Sequence, residues 1–169
     1  MKNWRIDKLD EPLEVLVGEL LIQHGLQLAV AESCTGGLVS HRITNVPGSS
    51  QYYLGGVTSY ANLAKVRLLG VSQETLEIHG AVSAEVVLQM ARGVRSAFEA
   101  DIGISTSGIA GPTGGTPDKP VGTTWIGFSS AEGEEARHFL FQGDRLAVKE
   151  QAAQAVLKLL VEHLQVAYV

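Results

Sequence analysis

Ser33, Cys34 and Thr35 stand in a row, followed by Gly36 and Gly37. A hydroxyl, a thiol and a second hydroxyl make a compact set of nucleophiles and hydrogen-bond donors, and the glycines let a ligand approach the backbone closely. A serine nucleophile needs a base. None of the five histidines suits that role, since His24, His41, His79, His138 and His163 read as surface or capping residues. Serine–lysine pairs are a convergent solution to the same problem. Lys65 falls one helical turn after a strand end, where it can point back over a pocket, and burial lowers a lysine's pKa enough for it to accept a proton. The alternative for Lys65 is a solvent-facing helix lysine. Cys34 is the rival nucleophile, because a thiol at a helix N-terminus ionises more easily. Neighbours in an extended backbone cannot both face a substrate, however, and a lone cysteine at a strand end is often a small buried residue. That balance favours Ser33.

Two further groups suit substrate binding. The stretch Ser107-Gly108-Ile109-Ala110-Gly111 opens the longest loop, rich in Gly and Pro as far as Pro120, and such loops inside a compact domain are usually functional. Arg145, at a helix start, can reach a phosphate or carboxylate bidentately or form a surface ion pair. No two His, Asp or Glu residues have metal-ligand spacing near these loops, so metal chemistry is not expected.

The elements that must position these residues alternate in type. Leu13, Leu16, Val17, Leu20 and Leu21 recur at helical spacing, opened by Asp10 or Glu11 with Pro12 and closed by Gly25. The apolar run Leu26–Ala31 reads as a buried strand, so Ser33 to Thr35 lie at a strand-to-helix turn. Such a turn presents free backbone N–H groups and the positive end of a helix dipole, which suits an anion; Thr35 is also placed to cap the helix that runs to about Asn45. Gly55-Gly56 breaks the next apolar stretch, which leaves Val57–Tyr60 as the second strand. A short helix, Ala61–Leu69, follows. Ser72 and Ser83 cap two more helices, the second with Val86, Val87, Met90 and Val94 on its apolar face. Asp101–Ser107 reads as a strand, and Val121–Ser130 with Ala136–Phe141 as an antiparallel hairpin. Asp144 caps the last helix, with Ala153, Val156, Leu157, Leu160 and Leu164 facing inward. This order predicts an α/β fold, a three-layer α/β/α sandwich on a mixed β-sheet, as one domain over residues 1–169. In open α/β sheets ligands bind at the carboxyl ends of parallel strands. The loops Glu32–Gly37, Tyr60–Lys65 and Ser107–Gly115 all leave such ends and are expected to converge.

Composition narrows the function classes. A chain that is 45% hydrophobic and 18% charged is globular rather than disordered. A formal net charge of −5, with no basic stripe, argues against nucleic acid as the main partner and leaves any anionic substrate dependent on local cations. The single cysteine excludes an internal disulfide. The polar start Met1-Lys2-Asn3-Trp4-Arg5 does not read as a signal peptide, and no apolar run approaches membrane-spanning length, so a cytoplasmic location is expected.

Seven blocks in order carry a resemblance: Ala31–Gly37, Pro47–Ser50, Tyr60–Lys65, His79–Ser83, Ser107–Pro112, Lys119–Thr123 and Gly143–Arg145. Together they closely resemble the C-terminal domain of CinA, a family that includes stand-alone nicotinamide-nucleotide amidohydrolases. The resemblance implies hydrolysis of the carboxamide of nicotinamide mononucleotide to nicotinic acid mononucleotide and ammonia, in pyridine nucleotide recycling. It implies a Ser–Lys pair at Ser33 and Lys65, no metal, no cofactor and a homodimer. Tyr60, Asn62 and Thr35 fall in matching motifs; Tyr60 is grouped with the catalytic pair, and Thr35, Gly36, Asn62, Ser107, Gly108, Gly111 and Arg145 with substrate binding. The alternative is a catalytically inactive nucleotide-binding or regulatory domain of the same family.

Overall fold

Strand β1 (Leu28–Glu32) is buried along its whole length, and its two faces look into two separate cores. Leu28 and Val30 join Leu16, Val17, Leu20, Leu21, Val39, Ile43, Val156, Leu157 and Leu160 on one side. Ala29 and Ala31 join Leu69, Leu76, Val86, Met90 and Val94 on the other. The period of two along the strand therefore fixes a helical layer on each face. These features come from a computed structural model that describes residues 11–167. Asp10, one of the two acids expected to open the first helix, lies outside the described residues.

The remaining elements are α1 (Leu13–His24), α2 (Leu38–Thr44), β2 (Tyr53–Thr58), α3 (Asn62–Leu69), α4 (Gln73–His79), α5 (Ala84–Ala97), β3 (Ile102–Gly108), β4 (Thr123–Ser129), β5 (Glu134–Leu140) and α6 (Arg145–Ala167). The sheet order is β2-β1-β3-β4-β5. The first three strands are parallel, and β4 and β5 form an antiparallel continuation, β4 antiparallel to β3 and β5 to β4. Helices α1, α2 and α6 cover one face and α3, α4 and α5 the other, which is a three-layer α/β/α sandwich on a mixed sheet. The layer around α5 sits close to the strands. A Cβ on Gly103 would lie 2.1 Å from the Ala91 carbonyl oxygen, and one on Gly127 2.6 Å from that of Val87. Ser105 Oγ donates to the same Val87 oxygen at 2.6 Å.

The helix signals read from the sequence hold in several places. Ser72 accepts from the Thr75 N–H, Ser83 from the Val86 N–H and Asp144 from the Ala147 N–H. Gly25 closes α1 in the left-handed conformation. The second strand differs from expectation. Gly55 and Gly56 lie inside β2, and the strand ends at Thr58, so Ser59 and Tyr60 fall in the turn beyond it. The space over the glycines is filled by neighbours: a Cβ on Gly55 would meet the Phe98 ring at 2.7 Å, and one on Gly56 the Val30 carbonyl oxygen at 2.5 Å. Pairing with β1 and packing by the ring at the end of α5 override the local breaking tendency.

Candidate active site

Loops from the carboxyl ends of β1, β2 and β3 converge on an open cavity of about 280 Å³. Ser33 and Cys34 enter it from the β1 turn, Tyr60, Asn62 and Lys65 from the β2–α3 connection and α3, and Ser107 to Gly111 from the end of β3. Arg145 reaches it from the first turn of α6. Gly108 permits the close approach of two of these segments, since a Cβ there would lie 3.2 Å from Cys34 Sγ and 2.7 Å from Thr124 Oγ1.

Lys65 is the most unusual group in the site. Helix α3 begins at Asn62, and a long side chain one turn in points back toward the helix start, here toward Ser33. Its Nζ lies 3.0 Å from Ser33 Oγ and 2.8 Å from the Ser59 carbonyl oxygen, with the Tyr60 carbonyl oxygen at 3.5 Å. The residue is 1% exposed. Burial pulls its pKa below the ordinary lysine range, against a smaller opposing pull from Cys34. Cys34 is buried too, and burial pushes its thiol up to about 11, so it stays protonated near neutrality. A buried thiol is a weak nucleophile. Ser33, whose hydroxyl touches the buried lysine, is the better placed of the two neighbours.

Arg145 bridges the mouth of the cavity. One guanidinium nitrogen donates to the Gly111 carbonyl at 2.7 Å and another to the Tyr60 hydroxyl at 2.6 Å. Tyr60 thus lies at the rim, 61% exposed, with its hydroxyl turned to Arg145. Asn62 opens α3 on the lining, and Ser107 Oγ donates to the Ala81 carbonyl at 2.7 Å.

Thr35 and Gly36 are not on the lining. Thr35 is fully buried, and its hydroxyl donates to Glu32 Oε2 at 2.6 Å while meeting Thr106 Oγ1 at 2.8 Å. Gly36 faces the Lys149 ammonium from α6. Nor does Thr35 cap α2: Gly37 occupies the cap position without a side-chain bond. The helix start is closed by Glu32, which sequence reasoning missed. Its Oε2 accepts from the Gly37 and Val39 N–H groups, and its Oε1 from the Ser40 N–H and Ser40 Oγ. The anion that this helix terminus suits is therefore a carboxylate of the chain itself. The available signal was an acid placed directly before the Ser-Cys-Thr run, within reach of a helix start.

Among the described residues no group of three or more His, Cys, Asp or Glu could hold a metal ion, and no helix is long and apolar enough to cross a membrane.

Fold and cavity together define an α/β sandwich with a buried serine–lysine contact at the carboxyl ends of its parallel strands. The model of the CinA C-terminal domain family matches residues 10–164, and the chain belongs to that family. It is 52% identical over 149 residues to a CinA-like protein of Salinibacter ruber, covering 88% of this chain and 36% of that protein. The chain thus spans just over a third of the length of the curated relatives it matches. Among solved structures, competence damage-inducible protein A of Klebsiella pneumoniae superposes with a TM-score of 0.88 at 36% identity, covering 91% of this chain and 96% of that one. A competence or damage-inducible protein from Enterobacter asburiae gives 0.87 at 38% identity, covering 90% and 96%.

Proposed function

We propose that this domain is an amidohydrolase that converts nicotinamide mononucleotide and water to nicotinic acid mononucleotide and ammonia. The observation that carries the reading is the 3.0 Å contact between Ser33 Oγ and the buried Lys65 Nζ. Membership of the CinA C-terminal family supports it. Lys65, neutral at the start of the cycle, takes the Ser33 proton as Oγ attacks the carboxamide carbon. The oxyanion is met by backbone N–H groups of the loop after β3; those of Ala110 and Gly111 donate to no backbone carbonyl among the described residues. One such donor contributes roughly 3–4 kcal/mol in comparable sites. The tetrahedral intermediate collapses, the C–N bond breaks, and ammonia leaves with the proton returned from Lys65. Water then attacks the acyl-serine, giving up its proton to Lys65, and the carboxylate product is released as Oγ regains its proton. The substrate phosphate meets Arg145 at the cavity mouth, with Lys149 one turn further along α6.

The test is ammonia release from nicotinamide mononucleotide by the purified chain, with nicotinamide riboside alongside. Equimolar ammonia and nicotinic acid mononucleotide, with a much slower reaction of the riboside, is the expected result. Binding of the nucleotide without ammonia release would overturn the reading in favour of a nucleotide-binding or regulatory domain.

A further inference from the structure

The buried carboxylate beside Ser33 has no place in the proton transfers above. Glu32 is 1% exposed and lies at the end of β1. Its two oxygens collect five hydrogen bonds from the next eight residues: Thr35 Oγ1 at 2.6 Å, the Gly37, Val39 and Ser40 N–H groups at 3.0, 3.1 and 2.9 Å, and Ser40 Oγ at 2.7 Å. Ser40 Oγ accepts in turn from Tyr53 on β2 at 2.7 Å. The turn that carries Ser33 is thereby wrapped around one charge. Glu32 also reaches the other half of the pair through its main chain. Its carbonyl accepts from the Ser59 N–H at 2.8 Å, and the Ser59 carbonyl accepts from Lys65 Nζ at 2.8 Å.

An ionised carboxylate this deep is costly unless its lone pairs are used. Here they are used by donors that follow Ser33 in the chain, so the charge is exchanged for a fixed turn. A neutral amide of the same shape accepts at one atom only and would present N–H groups to N–H groups on the other.

We propose that Glu32 is a positioning residue for the proposed reaction: its carboxylate, held by the α2 start and by Thr35 and Ser40, sets Ser33 Oγ against Lys65. The inference rests on the Ser33–Lys65 reading. It also excludes the α2 terminus as the substrate's phosphate site, because the chain's own carboxylate fills it.

The experiment follows Ser33 directly, by intact mass, during reaction with a small alkyl fluorophosphonate. In that reaction Oγ bonds to phosphorus, fluoride leaves and Lys65 takes the hydroxyl proton. Turnover of nicotinamide mononucleotide is measured in parallel. A displacement of about 1 Å at a reacting atom costs roughly a hundredfold in rate, and a loss of about that size is expected in both the labelling rate and kcat of Glu32→Gln, with KM within about twofold. Glu32→Ala should show the same loss and regain about tenfold on adding formate, which fits the vacated nest of donors, but not on adding chloride. Thr35→Val removes a single donor, so it tests the idea even where the Glu32 variants fold poorly; it should lose about tenfold in labelling while Tm falls by about 5 °C and the chain stays folded. Labelling of Glu32→Gln or Thr35→Val at the native rate would overturn the inference. So would a loss in Glu32→Ala that formate leaves untouched. A native chain that labels at Ser33 but releases no ammonia overturns the substrate reading and leaves Glu32's role standing. A native chain that does not label overturns the Ser33–Lys65 reading and this inference with it.

Discussion

Two charged clusters, one on the edge strand β5 and one at the carboxyl end of β1, are held in different ways. Along β5, His163 and Arg137 both bond Glu135, Arg137 also bonds Glu162, and Arg92 pairs with Glu134. The arginines and glutamates are partly exposed, and each faces an opposite charge. A cavity of about 190 Å³ lies beside them, with His163 stacked flat on Phe128, and no lysine lines it. At the carboxyl end of β1, Glu32 and Lys65 are almost fully buried. Their partners are hydroxyls, N–H groups and carbonyls rather than an opposite charge. Exposed pairs contribute little to stability, about 0–1 kcal/mol each, whereas a buried charge costs several kcal/mol before its partners offset it. The cluster on β5 is what a surface tolerates. The other costs stability, and chemistry at Ser33 is what such a cost would serve.

The comparison breaks most readily at the nucleophile. Ser33→Ala should lower kcat by more than about a thousandfold without loss of fold, while Cys34→Ala should keep most activity; ammonia-release kinetics and Tm decide between them. The reverse pattern would transfer the role to the thiol.

Lys65→Met sharpens the contrast, because function and stability should move in opposite directions. Turnover should fall by about as much as in Ser33→Ala, while stability near neutral pH should rise by about 1 kcal/mol, since a methionine neither gives up a proton nor buries a charge when the chain folds. The sign in pH follows from the lowered pKa of Lys65. Below the unfolded value of about 10.4 the unfolded chain binds the extra proton more readily than the folded one, so this group's contribution to stability rises with pH through the window between the folded and unfolded pKa. Urea unfolding from neutral to alkaline pH should show that rise in the native chain and lack it in Lys65→Met.

Arg145→Gln should act mainly on binding. Loss of the cation at the cavity mouth should raise KM for nicotinamide mononucleotide about tenfold or more, with a smaller effect on kcat and little effect on KM for the riboside. The smallest effect belongs to the edge strand β5. Arg137→Gln should leave turnover unchanged and shift stability by about 1 kcal/mol or less.

Much of the fold was legible because its signals are local. The apolar run in β1, the helical spacing in α5 and α6, and the caps at Ser72, Ser83 and Asp144 all read within a few residues. Ser33 and Arg145 were legible as residue types at strand and helix ends, whereas Lys65 by itself reads as a solvent-facing helix lysine and is paired with Ser33 only by the family resemblance. What failed depended on contacts that only folding makes. Gly55 and Gly56 look like breakers until Phe98, at the end of α5, and the β1 backbone fill the space over them. Thr35 looks like a cap until Glu32 and Thr106 take up its hydroxyl. Glu32 itself reads as the first polar residue of a loop, because only the folded turn brings the α2 N–H groups around its carboxylate.

The central claim is that neutral Lys65 activates Ser33, and the pH dependence of kcat/KM for nicotinamide mononucleotide, in the native chain and in Lys65→Arg, tests it most directly. Below the lowered lysine pKa the base is protonated, so the native rate should fall about tenfold per pH unit on the acid side. Arginine keeps the charge but does not deprotonate, so Lys65→Arg should stay at least about a thousandfold below the native plateau and show no such limb. Near-native turnover in Lys65→Arg, or an unchanged acid limb, would contradict the account and assign the activation of Ser33 to another group.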